Sequence, residues 1–99
     1  MSIKTVVNGD VVTISIDGSF DVSAYEAFKE ACQSTLTDSS RYVIDMSDTS
    51  YLDSSALGML LLLREKTEGD KSRITLVNVG ESVLNILEVA QFQKLFVVK

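Results

Sequence analysis

The sequence contains no histidine and no proline, and its only cysteine is Cys32. Without histidine, the Ser-His-Asp and Cys-His arrangements that activate a nucleophile cannot form, and the commonest metal ligand is missing. A lone cysteine cannot form an intramolecular disulfide. No phosphate-binding loop and no dinucleotide-binding glycine pattern occurs either. We therefore regard an enzyme as the weakest class of function, and we expect no cofactor.

Metal binding is also disfavoured by the pattern of the acidic residues. Asp45, Asp48 and Asp53 could surround a Mg²⁺ ion. Such a site would also need paired acids after the first strand and a lysine near the last strand, but Asp17 and Asp21 are not adjacent and Lys94 and Lys99 are poorly placed. Solvated carboxylates in turns are the simpler interpretation, since aspartate is common in turns. We expect no metal site.

Basic residues are few: nine Lys and Arg stand against fourteen Asp and Glu, which gives a net charge of −5. The basic residues are scattered, whereas contact with nucleic-acid phosphates needs them clustered, so we expect no nucleic-acid partner. The longest apolar run, residues 60–63 with their neighbours, is far shorter than the roughly 20 residues of a membrane span. The first residues show no signal-peptide pattern. We expect a cytoplasmic protein without membrane insertion, as a monomer or weak dimer.

The chain is long enough for one folded domain, predicted over residues 1–99. Asn8-Gly9 between two β-rich runs indicates a tight hairpin. In the second run Val12, Ile14 and Ile16 alternate with polar residues, which is typical of a strand covered on one face only. The sequence therefore begins with a predicted hairpin whose second strand lies under helices.

The remainder alternates helices and strands. We predict a helix after Asp21 with Cys32 buried on its apolar face, a strand over residues 42–46, a polar loop over residues 47–50 and a helix from residue 54 to about 68. A strand over residues 73–79, a helix beginning near residue 80 and an apolar segment that can add to the sheet follow. Strands joined through helices must be parallel. The predicted fold is α/β, a mixed sheet with an N-terminal hairpin and helices mainly on one face.

The most informative segment is Asp53-Ser54-Ser55, at the start of the helix predicted from residue 54. A helix N-terminus carries unpaired N–H groups and the positive end of the helix dipole, which would favour a phosphate on a serine there. Asp53 could orient a hydroxyl or accept its proton. The same residues also suit an ordinary helix cap. The loop after a parallel strand is commonly a functional edge, which favours a site.

The helix itself is apolar around most of its circumference over residues 57–63. These side chains could all be buried, but a small domain can cover them only in part. We expect Met59 and Leu62 to be exposed near the serines, and an exposed apolar patch beside a modifiable hydroxyl suggests a protein interface. Core and interface both remain open for this helix.

Residues 53–58, Asp-Ser-Ser-Ala-Leu-Gly, after the strand over residues 43–46, resemble the signature of STAS domains, specifically the bacterial anti-sigma factor antagonists. The resemblance covers essentially the whole chain. It implies a non-enzymatic switch in which Ser54, or as second choice Ser55, is phosphorylated, with support from Asp53 and Asp48. The unphosphorylated form would bind an anti-sigma factor that is also a serine kinase. That binding would free the client of the anti-sigma factor. A PP2C-like serine phosphatase would reset the switch.

We expect the partner to contact residues 47–55 and the exposed side of the following helix. The predicted contact residues are Ser50, Tyr51, Ser55, Ala56, Met59 and Leu62. Ala56 stands where the family usually has glycine. The alternative function is a STAS-like accessory subunit of a lipid or anion transporter ATPase, which is never phosphorylated. Such subunits often lack the serine doublet that this chain contains.

Overall fold

The computed structural model describes residues 2–99, which form six strands, three α-helices and three short 3₁₀ turns. The strands and helices are β1 (Ser2–Asn8), β2 (Val11–Phe20), α1 (Tyr25–Gln33), β3 (Arg41–Asp45), β4 (Thr49–Leu52), α2 (Ser54–Lys66), β5 (Ile74–Val77), α3 (Glu81–Val89) and β6 (Val97–Val98). The 3₁₀ turns are Val22–Ala24, Lys71–Arg73 and Phe92–Lys94.

Five strands form the main sheet in the order β1-β2-β3-β5-β6, and β4 pairs with the end of β2. The β1–β2 pair is antiparallel and the other pairs are parallel. The predicted hairpin is confirmed, with Gly9 at φ +63°, a backbone conformation that glycine adopts readily. The predicted α/β fold with a mixed sheet is also confirmed.

The alternation predicted for β2 is visible in its burial. Val12, Ile14 and Ile16 are at most 1% exposed, whereas the residues between them are partly open. Phe20 closes the strand and lies against Phe28 of α1, with ring centroids 5.2 Å apart. One face of the sheet therefore carries the core, as expected for a strand with period-two alternation.

Cys32 is buried in this core, as predicted. Burial raises the pKa of its thiol to about 12, so the group is protonated and uncharged at neutral pH. The hydroxyl of Tyr42 donates to the Cys32 carbonyl at 3.1 Å and lies 2.9 Å from the Thr35 hydroxyl. This part of the core is a fixed structural network.

The segment predicted as a polar loop over residues 47–50 is the main difference in the fold, because β4 begins at Thr49. The Thr49 side chain is buried and donates to the Ile16 carbonyl at 2.7 Å, so a polar residue satisfies its hydrogen bond inside the sheet. Leu52 is buried as well. Smaller differences concern lengths: α2 ends at Lys66 and β5 ends at Val77. The last apolar segment does add to the sheet, as β6.

Candidate functional site

Asp53 is the N-cap of α2. Its side chain accepts a hydrogen bond from the Ala56 N–H at 3.0 Å, and its carbonyl accepts from the Leu57 N–H at 3.2 Å. Ser54 and Ser55 are therefore the first two residues inside the helix. Within residues 2–99, neither serine hydroxyl makes a hydrogen bond. Because Asp53 supplies the cap, capping does not explain why two serines follow it.

The sheet fixes the position of this helix start. Leu52 of β4 pairs with Phe20 of β2, and the Asp53 N–H donates to the Phe20 carbonyl at 3.3 Å. The strand that precedes the serines and the helix that contains them are thus both anchored. Ser54 is exposed and Ser55 is half-buried at this edge.

Asp45 and Asp48, the two acidic residues that precede β4, have different surroundings. The Asp48 carbonyl accepts from the Gly18 N–H at 2.9 Å, and the Asp48 side chain is exposed with no hydrogen bond to Ser54 in the described part of the chain. Asp45 accepts from the Ser47 N–H at 3.0 Å and from Asn78 at 3.2 Å. The Ser47 hydrogen bond is the main cause that lowers the pKa of Asp45. Asp45 thus stabilises its own turn, and the supporting role of Asp48 stays a prediction.

The structure also bears on metal binding and on membrane insertion. Among the described residues, no group of three or more His, Cys, Asp or Glu side chains is arranged to hold a metal ion. Over residues 2–99, every helix is too short or too polar to cross a bilayer.

A stripe of exposed and half-buried residues extends along α2 from Ser54. The 3.6-residue repeat places Ser54, Gly58 and Leu61 on one side of the helix, with Leu62 beside them. Leu61 and Leu62 are 42% and 48% exposed, and a Cβ added to Gly58 would meet no atom within 4 Å. Tyr51, half exposed on β4, precedes the helix. We call Ser54, Gly58, Leu61 and Leu62 the α2 stripe.

Two of the predicted contact residues are wrongly placed. Met59 is 4% exposed and Ala56 is fully buried, because both belong to the inward side of α2 together with Leu60 and Leu63. The predicted exposure of Leu62 is confirmed. The sequence interpretation did not identify Leu61 or Gly58 as surface residues of the site.

The remaining predicted contacts, Ser50, Tyr51 and Ser55, are at least partly accessible. Their role in binding stays a prediction. The structure therefore brings the serines and Tyr51 together at the start of α2, with Leu62 about two helical turns further along, and it removes Met59 and Ala56 from that surface.

Comparisons with known proteins show the family to which this fold belongs. A protein-family model described as "Mlab, STAS domain" matches residues 3–99. A STAS-domain containing protein from Pseudomonas aeruginosa is 43% identical over 89 residues, which cover 90% of this chain and 88% of that protein.

Solved structures of the same shape include an anti-sigma factor antagonist from Mycobacterium paratuberculosis, with a TM-score of 0.82 and 23% identity over 98% of this chain and 83% of that chain. The anti-sigma factor antagonist SpoIIAA in its unphosphorylated form matches with a TM-score of 0.74 and 20% identity over 99% of this chain and 87% of that chain. A sulfate transporter family protein from Wolinella succinogenes matches with a TM-score of 0.73 and 18% identity over 90% of this chain and 73% of that chain.

The solved structures show the shared fold, whereas the family model covers nearly the whole chain and the Pseudomonas relative shares more than two residues in five. The resemblance to STAS domains inferred from residues 53–58 is confirmed. The chain belongs to the STAS domain family.

Proposed function

We propose that this chain is a phosphorylation-controlled protein-binding switch that acts as an anti-sigma factor antagonist. The observation that carries the proposal is the exposed Ser54 in the first turn of α2, beside an apolar surface, with the capping role already taken by Asp53. A hydroxyl in that position is accessible to a kinase. A charge placed there alters a surface suited to a protein partner.

The helix is expected to tolerate a phosphate on Ser54. The first N–H groups of α2 have no intrahelical partners, and the helix dipole is positive at this end. The added charge of about −1.5 to −2 is thus partly compensated locally, although the Asp53 carboxylate opposes it. We infer that phosphorylation leaves the fold intact and changes the surface presented to the partner.

The proposed partner of the unphosphorylated form is an anti-sigma factor that is also a serine kinase, and a PP2C-like serine phosphatase resets the switch. The likeness to SpoIIAA supports this proposal, since SpoIIAA has been solved in both an unphosphorylated and a phosphorylated form. The contact surface is the α2 stripe together with Ser50, Tyr51 and Ser55. On this proposal the domain binds and does not catalyse.

Phosphorylation is expected at Ser54. Incubation with the partner kinase and ATP, followed by mass spectrometry of the phosphopeptides, identifies the acceptor. Ser54→Ala is expected to abolish the modification, while the matched variant Ser55→Ala retains it because Ser55 is half-buried. Phosphate found only on Ser55, or only within residues 47–50, contradicts the assignment.

Gly58→Ala is expected to separate fold from binding. The new Cβ meets nothing within the domain, and alanine stabilises a helix interior by about 0.5–1 kcal/mol relative to glycine, so the melting temperature rises. The same methyl group lies in the α2 stripe and is expected to weaken partner binding severalfold. Thermal denaturation and titration calorimetry measure both effects.

The control for Gly58 is Asn85→Ala, an exposed position of α3. It also improves helix propensity but leaves the α2 stripe unchanged, so partner binding should match the parent protein. Unchanged binding in the Gly58 variant contradicts a contact with the α2 stripe.

The second candidate is an accessory subunit of a lipid or anion transporter ATPase. The sulfate transporter family protein with the same fold favours it, because STAS-shaped domains occur in transporter proteins as well. Such a subunit would hold its ATPase through the same surface without modification. Purification of the chain from its own cells distinguishes the two: recovery with transporter subunits and without phosphate supports the second candidate.

A further inference from the structure

A groove of about 230 Å³ lies between α1 and α2, on the side of α2 next to the α2 stripe. Its floor is made by four buried side chains, Phe28, Cys32, Met59 and Leu63. Tyr25 and Leu62, both partly exposed, form its walls. Apart from Gln33 and two lysines, the residues that line the groove are apolar or aromatic.

The charges around this groove have one sign. Lys29 of α1 and Lys66 of α2 line it, and the Lys29 Nζ lies 5.8 Å from the centroid of the Tyr25 ring, a distance at which the ring attracts the ammonium group. No acidic residue lines the groove. In a chain of net charge −5, this is a local positive rim around an apolar surface.

The floor adds no charge of its own. Cys32 is its one ionisable residue, and burial keeps that thiol protonated. An apolar floor with two ammonium groups at the rim is complementary to a molecule with one apolar chain and one anionic head.

The size of the groove restricts the ligand further. Pockets for drug-sized ligands usually start at about 300 Å³, whereas a cavity of about 150 Å³ is enough to bind benzene. A groove of 230 Å³ lies between these values. By proportion with benzene, the groove takes a single alkyl chain of roughly eight or nine carbons, and a second chain would have to lie outside it.

We propose that the groove between α1 and α2 binds a free, single-chain anionic amphiphile such as a medium-chain carboxylate. The chain lies on Phe28, Met59 and Leu63, and the carboxylate faces the ammonium groups of Lys29 and Lys66. Leu62 belongs both to this groove and to the α2 stripe, so an occupied groove changes that stripe about two helical turns from Ser54. The site does not depend on phosphorylation.

The test uses hexanoate, octanoate and decanoate, each titrated below its micelle-forming concentration into protein labelled with ¹³C at the methionine methyl groups. The Met59 methyl resonance is expected to shift, while that of Met46, buried outside the groove, stays in place. Affinity is expected to rise up to about fourfold per methylene until the groove is filled, and then to level off near octanoate. Absence of a Met59 shift at millimolar carboxylate overturns the proposal.

A cationic ligand and variants without the rim lysines test whether the carboxylate faces the ammonium groups of Lys29 and Lys66. Octyltrimethylammonium is expected to bind at least tenfold more weakly than octanoate. The double variant Lys29→Gln, Lys66→Gln is expected to lose that preference, while the matched control Lys4→Gln, Lys71→Gln keeps it. Equal affinities of the two ligands for the parent protein overturn the assignment.

Ser54→Ala separates this proposal from the proposed function, because it should leave octanoate binding unchanged. If no carboxylate binds but the rim variant loses the protein partner, the groove belongs to the protein interface and the amphiphile proposal fails.

Discussion

Ser54→Asp is expected to weaken binding of the protein partner by roughly thirty-fold to several thousand-fold, whereas Ser54→Ala retains it. The aspartate places a carboxylate at the start of the α2 stripe, about two helical turns from the exposed Leu61 and Leu62 and within the proposed contact surface. An unpaired charge that is desolvated in an interface costs about 2–5 kcal/mol, which gives this range of affinities. Titration calorimetry with the unphosphorylated protein and both variants measures it.

The alanine variant is a clean reference because Asp53, and not Ser54, caps α2. Alanine is also the better helix former, so the free energy of unfolding should not fall. Ser82→Asp in the first turn of α3 is the control, since it adds the same charge at the start of another helix, one position further in than Ser54 is in α2. Equal affinities of Ser54→Asp and the parent protein would mean that Ser54 lies outside the interface.

Met59→Asp is expected to destabilise the fold, whereas Leu62→Asp is expected to weaken partner binding. Met59 is 4% exposed and packs in the core beneath the groove, so a short carboxylate there loses its hydration and lies below the rim where Lys29 and Lys66 stand. That change is expected to cost more than about 4 kcal/mol, a large part of the 5–15 kcal/mol that holds a typical domain together. Leu62 is half exposed, and its substitution should leave the fold intact while reducing partner binding at least tenfold.

Circular dichroism with thermal melting separates these outcomes before any binding is measured. We expect Met59→Asp to lose its cooperative transition and Leu62→Asp to keep it. A native melting curve for Met59→Asp would show that α2 does not pack as described. Normal partner binding by a folded Leu62→Asp would remove α2 from the interface and leave residues 47–55 to carry it.

The fold was predictable from the sequence where its signals were periodic. Val12, Ile14 and Ile16 alternate, and the alternation sets which face of β2 is covered. β4 was missed because it is only four residues long, and its two buried residues, Thr49 and Leu52, are three apart and show no alternation. The sequence does not show that the Thr49 hydroxyl donates to the Ile16 carbonyl, and without that hydrogen bond a threonine is the kind of residue expected in a loop.

The start of α2 was predictable for a similar reason, since an acid followed by hydroxyls marks a helix N-terminus. The orientation of the helix was not. Apolar residues point in almost every direction over residues 59–63, so no periodicity tells Met59 from Leu61 or Leu62. Only packing against the sheet and α1 decides between them. The groove is invisible in sequence because it depends on the spacing of two helices.

The hydrogen bond from the Asp53 N–H to the Phe20 carbonyl has a consequence for any enzyme that modifies Ser54. Many modifying enzymes draw a flexible segment into an extended cleft, but β4 and α2 hold this serine on both sides in fixed backbone geometry. On the proposed function, the kinase must therefore recognise the assembled shape of the domain. A free peptide of residues 47–58 would then be a poor substrate, and mutations that loosen the strand could abolish modification without touching the serine.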